Sequence, residues 1–335
     1  MAVHVVAEVG PNHNGSLETA FEMIRRLAAT GVDSVKFQLG APERVYSRDA
    51  FKADYQKRND GERSAIEMSK AVQFPREAHL ALAAACAEAG VAYACTAFDV
   101  ESLRFLDEAI DLPYFKVASG ELLTLDMLEF IAERRRPVQL STGMSTFEEI
   151  DQALGVLTAK GLRDITILHC VSNYPAPYAD INLRLLPELA RRFGLPVGYS
   201  DHSLGVECCL AAVALGACVL EKHVTPDPTL PGPDHKASAT IEEMGALVSS
   251  VRKVEQALGG AGKVFSAAEE GVRRMARKSI VTAIDLPAGH VLTSTDITFK
   301  RPGTGVSPME RDRVIGRRLA RPLEADRVIT PDDLA

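Results

Sequence analysis

The feature that most limits what this chain can fold into is a regular alternation of short apolar, β-branched runs with amphipathic stretches. It continues from the first residues to about position 260. Runs at 3–9, 33–39, 91–98, 114–119, 137–142, 165–171, 196–200 and 218–224 read as strands. Segments at 17–29, 76–89, 124–135, 146–160 and 206–214 read as helices between them. Gly31, Gly90, Gly161 and Gly216 follow four of these helices, where a left-handed C-cap favours a residue without Cβ. Ser145, with Glu148 three residues on, predicts a capping box. Strand–helix alternation implies parallel strands, and eight such units match a closed (β/α)8 TIM barrel. An open doubly wound sheet is the alternative, but no GxGxxG follows the first strand to support it.

Composition narrows the function classes. The 335 residues hold 38 Lys+Arg against 45 Asp+Glu, a net charge of −7. Such a chain has no positive field to draw DNA, RNA or anionic membranes. An anionic small molecule must then be held by a few placed cations. Values of 46% hydrophobic and 25% charged residues exclude a disordered or collagen-like chain. No basic n-region or signal h-region precedes the first strand. The longest apolar run, 208–220, is 13 residues and too short to span a bilayer. The six cysteines lack CxxC spacing and read as free thiols of a reducing compartment. The expectation is a cytoplasmic protein with no nucleic-acid or membrane partner.

The strand exits carry the chemistry. They present Glu8 with Asn12-His13-Asn14; Lys36 and Gln38; Thr96 with Asp99; and Lys116, Ser119 and Glu121. The later ones add Ser141, His169 with Ser172-Asn173-Tyr174, Ser200-Asp201-His202 and Glu221-Lys222-His223. In a barrel these sets converge on one mouth, where active sites of this fold lie. Satisfied polar strand ends explain one or two of them but not all, since an unpartnered buried charge costs several kcal/mol. Lys36 and Lys116 with the hydroxyls of Thr96, Ser119, Ser141 and Ser200 would make a cradle for a small phosphate- and carboxylate-bearing dianion. No GxxxxGK[ST] loop points to a nucleoside triphosphate. His202 and His223, at neighbouring exits, suit Mn²⁺, Fe²⁺ or Zn²⁺ with positions left for water and substrate; structural or general-base histidines are the bland reading. Asp234, in the rigid turn Pro231-Gly232-Pro233-Asp234, could orient a polyol. The long polar segment at 44–63 reads as a lid or substrate loop, with Tyr55, Gln56, Lys57, Arg58 and Asn59 either touching ligand or simply solvated.

In sequence the chain resembles the sialic acid synthase family, the N-acetylneuraminate synthases with their legionaminate and pseudaminate relatives. The resemblance rests on AEVGPNHNGSLE (7–18), VKFQ (35–38), KVASGEL (116–122), LSTGM (140–144) and LHCVSNYPAPY (168–178). GYSDHSLG (198–205), LEKHVT (220–225), PGPDHKAS (231–238) and KRPGTG (300–305) continue it in order. It implies a catalytic TIM barrel over 1–265, a linker at 266–279, and a small β-rich antifreeze-like (SAF) domain at 280–335. It also implies condensation of phosphoenolpyruvate with an N-acetylmannosamine-type aldose and water, giving a nonulosonic acid and phosphate. The alternative substrate is a 6-deoxy-2,4-diacetamido sugar; the alternative reaction is a metal-dependent pyruvate aldolase. A non-catalytic glycan- or ice-binding scaffold is a third reading.

By resemblance Lys36, Thr96, Lys116, Ser119, Ser141 and Ser200 would bind phosphoenolpyruvate. Glu121, His202 and His223 would be catalytic, with Glu121 as base. His202 and His223 would hold a divalent metal, Mn²⁺ with Mg²⁺ and Co²⁺ as alternatives. Asn14, Tyr174, Asp234 and Arg301 would contact the sugar, Arg301 reaching a partner's mouth in a domain-swapped homodimer. Departures from the family pattern stand at Asn14 (glutamate or glutamine in relatives), Ala97 (proline) and Ser172 (asparagine in some).

Overall fold

The computed structural model describes residues 2–52, 64–260 and 262–335. They form two compact units, Met1–Gly259 and Gly260–Ala335. The stretch expected as a linker holds a helix, Ala267–Ala276, that groups with the second unit.

In the first unit, β1 (His4–Glu8), β2 (Ser34–Leu39), β3 (Ala92–Ala97) and β4 (Phe115–Val117) pair in parallel in chain order. They are followed by β5 (Val138–Ser141), β6 (Ile165–Cys170), β7 (Val197–Asp201) and β8 (Val219–Thr225). Strand β8 pairs back onto β1, Val6 opposite Glu221 and Glu8 opposite His223, which closes the barrel.

Strand parity sorts the side chains. On β2, Val35, Phe37 and Leu39 join the large core beneath the helices, while Lys36 and Gln38 project the other way, into the barrel. Its lower interior is a small apolar plug of Val6, Ala94, Tyr114, Leu168 and Val219. Gly198 makes room for that plug, since a Cβ there would lie 2.5 Å from Leu168 Cδ2 and 2.7 Å from the Val219 carbonyl oxygen. Apolar filling below leaves the upper interior to polar side chains.

Helix ends follow local chemistry. Ser16 caps Leu17–Ala28 by accepting from the Thr19 amide, and Arg76–Ala89 ends at Gly90 with φ 73°. The capping box expected at Ser145 and Glu148 forms one residue later, between Thr146 and Glu149, and opens Phe147–Ala159. The Ser145 hydroxyl instead donates to the Gly143 carbonyl (3.1 Å). Helices Val100–Ala109, Leu185–Phe193 and Ile241–Leu258 complete the ring at positions where the sequence reading placed none. Among the described residues no helix is long and apolar enough to cross a membrane.

The second unit pairs β9 (Ser279–Thr282) with β10 (Ile297–Lys300) antiparallel around a core that includes Ile280, Leu292, Val314 and Ile329. Few apolar side chains support it, as expected for so short a module.

Two histidines buried in the barrel unit make its stability depend on pH. His13 stacks on Phe74 with ring centroids 3.9 Å apart, and His79 Nδ1 is hydrogen-bonded to the Tyr93 hydroxyl (2.6 Å). Burial pushes their pKa values down to about 3 and about 4 from 6.5. Below pH 6.5 the unfolded chain therefore binds protons that the folded one refuses, and stability falls as pH drops. Moving from pH 7 to pH 5 is expected to cost about 2 kcal/mol per histidine. Urea unfolding at the two pH values checks this. His79→Gln should flatten the slope, and an unchanged slope would refute the assignment.

Candidate active site

All eight barrel strands send side chains into one cavity of about 410 Å³ at their C-terminal ends. Its floor is a lattice of buried charge. Lys36 Nζ lies 2.8 Å from Glu8 Oε2 and 3.5 Å from Glu221 Oε2, and donates to Thr96 Oγ1 at 2.7 Å. Lys116 Nζ donates to Glu221 Oε1 (3.0 Å) and Ser141 Oγ (2.9 Å); the Ser200 hydroxyl also donates to Glu221 Oε1 (3.0 Å). Gln38 Nε2 donates to Glu8 Oε1 (2.7 Å). These inward positions recur every second residue along β2 and β8, as the pleat requires.

Burial and charge set the protonation states. For Glu221 burial pushes the pKa up, but the Lys116 and Lys36 ammoniums outweigh it and hold the carboxyl well below its ordinary value. Glu8, with burial the largest effect, is raised. Burial lowers Lys116 despite Glu221, whereas the carboxylates of Glu221 and Glu8 overcome burial at Lys36 and raise it.

Two imidazoles stand at the β7 and β8 exits with ring centroids 5.4 Å apart. His202 Nδ1 is hydrogen-bonded to the Val171 carbonyl oxygen (2.7 Å), which places a proton on Nδ1 and leaves Nε2 with a lone pair, 3.1 Å from the Tyr174 hydroxyl. His223 Nδ1 is buried without a hydrogen-bond partner, and Asp234 Oδ2 is 3.6 Å away. Burial pushes His202 down to about 4 and His223 well below its ordinary value, so both rings are neutral. Burial and the charge of Glu8 push Asp234 up to about 7. Neutral imidazoles with available lone pairs are what a divalent cation takes. Among the described residues no three His, Cys, Asp or Glu side chains form a metal cage. A metal here would rest on the two imidazoles, with other positions left to small molecules.

The two lysines, the two histidines, Thr96, Ser119, Ser141, Ser200, Tyr174 and Asp234 line this cavity, as do Glu8, Gln38, Ser172 and Glu221 from the strand exits. Glu121 does not; it is half-buried and accepts from the Thr124 hydroxyl (2.6 Å). Among the described residues the lining carboxylates are Glu8, Glu221 and Asp234. Asn14 is exposed and outside the lining, bonded instead to the loop that carries Asp234. Asp201 and Lys222 are absent from it as well; opposite parity turns them outward, where they pair at 2.7 Å. His169 is hydrogen-bonded to the Ile181 carbonyl oxygen (2.6 Å). Arg301 is exposed on the second unit. Tyr55, Gln56, Lys57, Arg58 and Asn59 lie outside the described residues, though Tyr46 and helix Ala65–Val72, on either side of them, contribute to the cavity. The sequence reading missed Glu221 as the centre of the charge lattice. Its spacing of two from His223 was the available signal.

Comparison with known proteins gives the family. The NeuB family model matches residues 23–263, and a SAF domain model matches residues 277–335. The chain belongs to the NeuB, or sialic acid synthase, family. It is 40% identical over 330 residues to the N,N'-diacetyllegionaminic acid synthase of Legionella pneumophila, covering 97% of this chain and 92% of that protein. It is 34% identical over 328 residues to human N-acetylneuraminate-9-phosphate synthase, covering 97% and 90%. The crystal structure of an N-acetylneuraminic acid synthetase from Leptospira borgpetersenii, in complex with citrate, superposes with a TM-score of 0.73 at 32% identity, covering 81% of this chain and 90% of that one. Like those NeuB relatives this chain is an enzyme: a TIM barrel followed by a SAF domain.

The charge lattice makes a direct prediction. Glu221→Gln leaves Lys116 buried without a carboxylate and should destabilise the barrel by about 3–5 kcal/mol, read by urea unfolding. Adding Lys116→Met should recover part of that loss. A single variant as stable as the parent would contradict the assignment.

Proposed function

We propose that this enzyme condenses phosphoenolpyruvate with an unphosphorylated, acylated hexosamine and water, giving a nonulosonic acid and orthophosphate. The observation that carries the reading is one cavity with two lysines and a ring of hydroxyls at its floor and two neutral imidazoles at its side.

Lys36 and Lys116 would bind the phosphate and carboxylate of the enol phosphate through charge-assisted hydrogen bonds. Thr96, Ser119, Ser141 and Ser200 would supply neutral donors around them. Carbon 3 of the enol phosphate attacks the aldehyde carbon of the open-chain sugar, whose oxygen gains a proton, leaving an oxocarbenium at carbon 2. Water adds at carbon 2 and loses a proton, and the tetrahedral intermediate expels phosphate with cleavage of its C–O bond. Positioning the two reactants in one mouth supplies most of what such a step needs. His202 and His223 would hold a divalent cation, Mn²⁺ first, which supplies Lewis-acid polarisation of the aldehyde when bound. Asp234 replaces Glu121 as our candidate for orienting the sugar and the attacking water, because Glu8 and Glu221 are tied to lysines. Tyr174, stacked on His202 with centroids 4.1 Å apart, would flank the sugar.

Two observations bear on which sugar. Among the described residues lining the cavity, Lys36 and Lys116 are the only lysines or arginines, and with both assigned to the enol phosphate none of those residues is left as a cation for a sugar phosphate. Relatives named N,N'-diacetyllegionaminic acid synthase, at 40% and 38% identity, favour a 6-deoxy-2,4-diacetamido aldose over N-acetylmannosamine. On the family resemblance we also propose a homodimer in which Arg301 contacts the sugar bound to the other chain.

Phosphate release from phosphoenolpyruvate, with Mn²⁺ and a panel of mannosamine derivatives including the 6-phosphate and the diacetamido form, tests the reading. Release is expected with the diacetamido sugar and not with the 6-phosphate. Turnover of pyruvate without orthophosphate would establish the aldolase instead. His202→Ala and His223→Ala should each weaken Mn²⁺ binding at least tenfold by calorimetry, and unaltered binding would remove the metal assignment.

A further inference from the structure

We propose that Asn12 and Asn14 are positioning residues: together they clamp the loop at 231–238 and thereby fix where Asp234 stands at the sugar end of the cavity. The inference deepens the reading just given, because the sugar contact assigned to Asp234 is what the clamp would serve.

Both asparagines lie in the turn after β1, and neither lines the cavity. Asn14 adopts a left-handed φ of 49°, which asparagine tolerates better than most residues. That conformation aims its amide at the neighbouring loop. Asn14 Nδ2 donates to the Pro231 carbonyl oxygen (3.1 Å), and Asn14 Oδ1 is 3.1 Å from His235 Nε2. The two bonds grip the loop on either side of Asp234. His235 is held from behind by Thr225 Oγ1, 2.7 Å from its Nδ1.

Asn12 holds the far end. It is buried, and its Nδ2 donates to the Val224 carbonyl oxygen and to Ser238 Oγ, both at 2.8 Å. Ser238 Oγ in turn donates to the backbone carbonyl oxygen of Asp234 (2.7 Å). The loop is therefore tied at Pro231, at Asp234 itself, at His235 and at Ser238, all traceable to one turn. Packing leaves it no slack. A Cβ on Gly232, where φ is +154°, would lie 2.6 Å from His235 Cδ2 and 3.2 Å from Asn14 Oδ1.

The residue type at 14 follows from this pairing. With the His235 proton on Nε2, one planar group donates to a carbonyl and accepts from an imidazole N–H, and an amide does both. Aspartate would keep the bond to His235 but set an oxygen against the Pro231 carbonyl. Position 14 thus acts on the sugar through Asp234 rather than by touching it.

A double-mutant cycle on the full-length enzyme tests this, using the aldose that the wild type turns over. Asn14→Ala and Asn14→Asp should each raise KM for the aldose about tenfold while KM for phosphoenolpyruvate stays within about twofold. In the Asp234→Asn background, Asn14→Ala should change KM for the aldose less than about twofold, because the group it positions is gone. The same factor in both backgrounds would mean that Asn14 meets the sugar directly, and would overturn the proposal. Hydrogen exchange supplies a readout that needs no substrate: Asn12→Ala and Asn14→Ala should speed amide exchange within 231–238. Unchanged exchange there would also overturn the clamp. If no aldose is turned over by the wild type, the functional reading fails, while the exchange result still decides the clamp.

Discussion

The mouth of this barrel depends on a single carboxylate. Glu221 reaches Lys116 at 3.0 Å and Lys36 at 3.5 Å, and it accepts from the Ser200 hydroxyl. Two ammoniums brought together without an anion would repel by about 4 kcal/mol at 4 Å and an effective dielectric of 20. Glu8 offsets part of that for Lys36. The lattice holds two lysines buried on one carboxylate, where, in the proposed function, an anionic substrate would compete for them. Such a site needs no basic surface, which would let a chain of net charge −7 bind a small dianion.

The polar layer is confined by what lies below it. Val6, Ala94, Leu168 and Val219 pack the lower barrel, and Gly198 gives up its side chain so that Leu168 can fill the space. The cavity lies at the upper end, lined by both lysines and by the neutral imidazoles of His202 and His223. In the proposed reaction the lysines would take the anion and the imidazole end the carbonyl and its hydroxyls. Asp234, held on its own loop, stands at the imidazole end.

Much of the fold was legible because periodicity is a local property. The eight strands and the C-cap at Gly90 could be read from local pattern, and residue type at the strand exits singled out the cavity-lining Lys36, Thr96, Lys116, Ser141, Ser200 and His223. Errors arose where one local signal had two outcomes. Ser145 and Thr146 both offer a capping hydroxyl, and the Gly143 carbonyl engages the first, leaving the second to cap. Glu121 follows a strand as the cavity-lining residues do, but at the end of the 3-10 turn Ser119–Glu121 it accepts from Thr124 and is not among the lining. Asp201 and Lys222 sit beside the two histidines in sequence, and the pleat sends them to the opposite face.

From sequence alone came the barrel and the set of lysines, hydroxyls and histidines at its exits, because hydrophobic period and residue type are written along the chain; the resemblance of its motifs to a family added the second unit. Tertiary structure alone decided which of these share a cavity, that Glu221 joins both lysines, and that Asn14 bonds to residues more than two hundred positions away instead of lining the mouth. The physical reason is barrel closure: pairing β8 with β1 brings the two ends of the first unit together, and no local pattern records which side chains then meet.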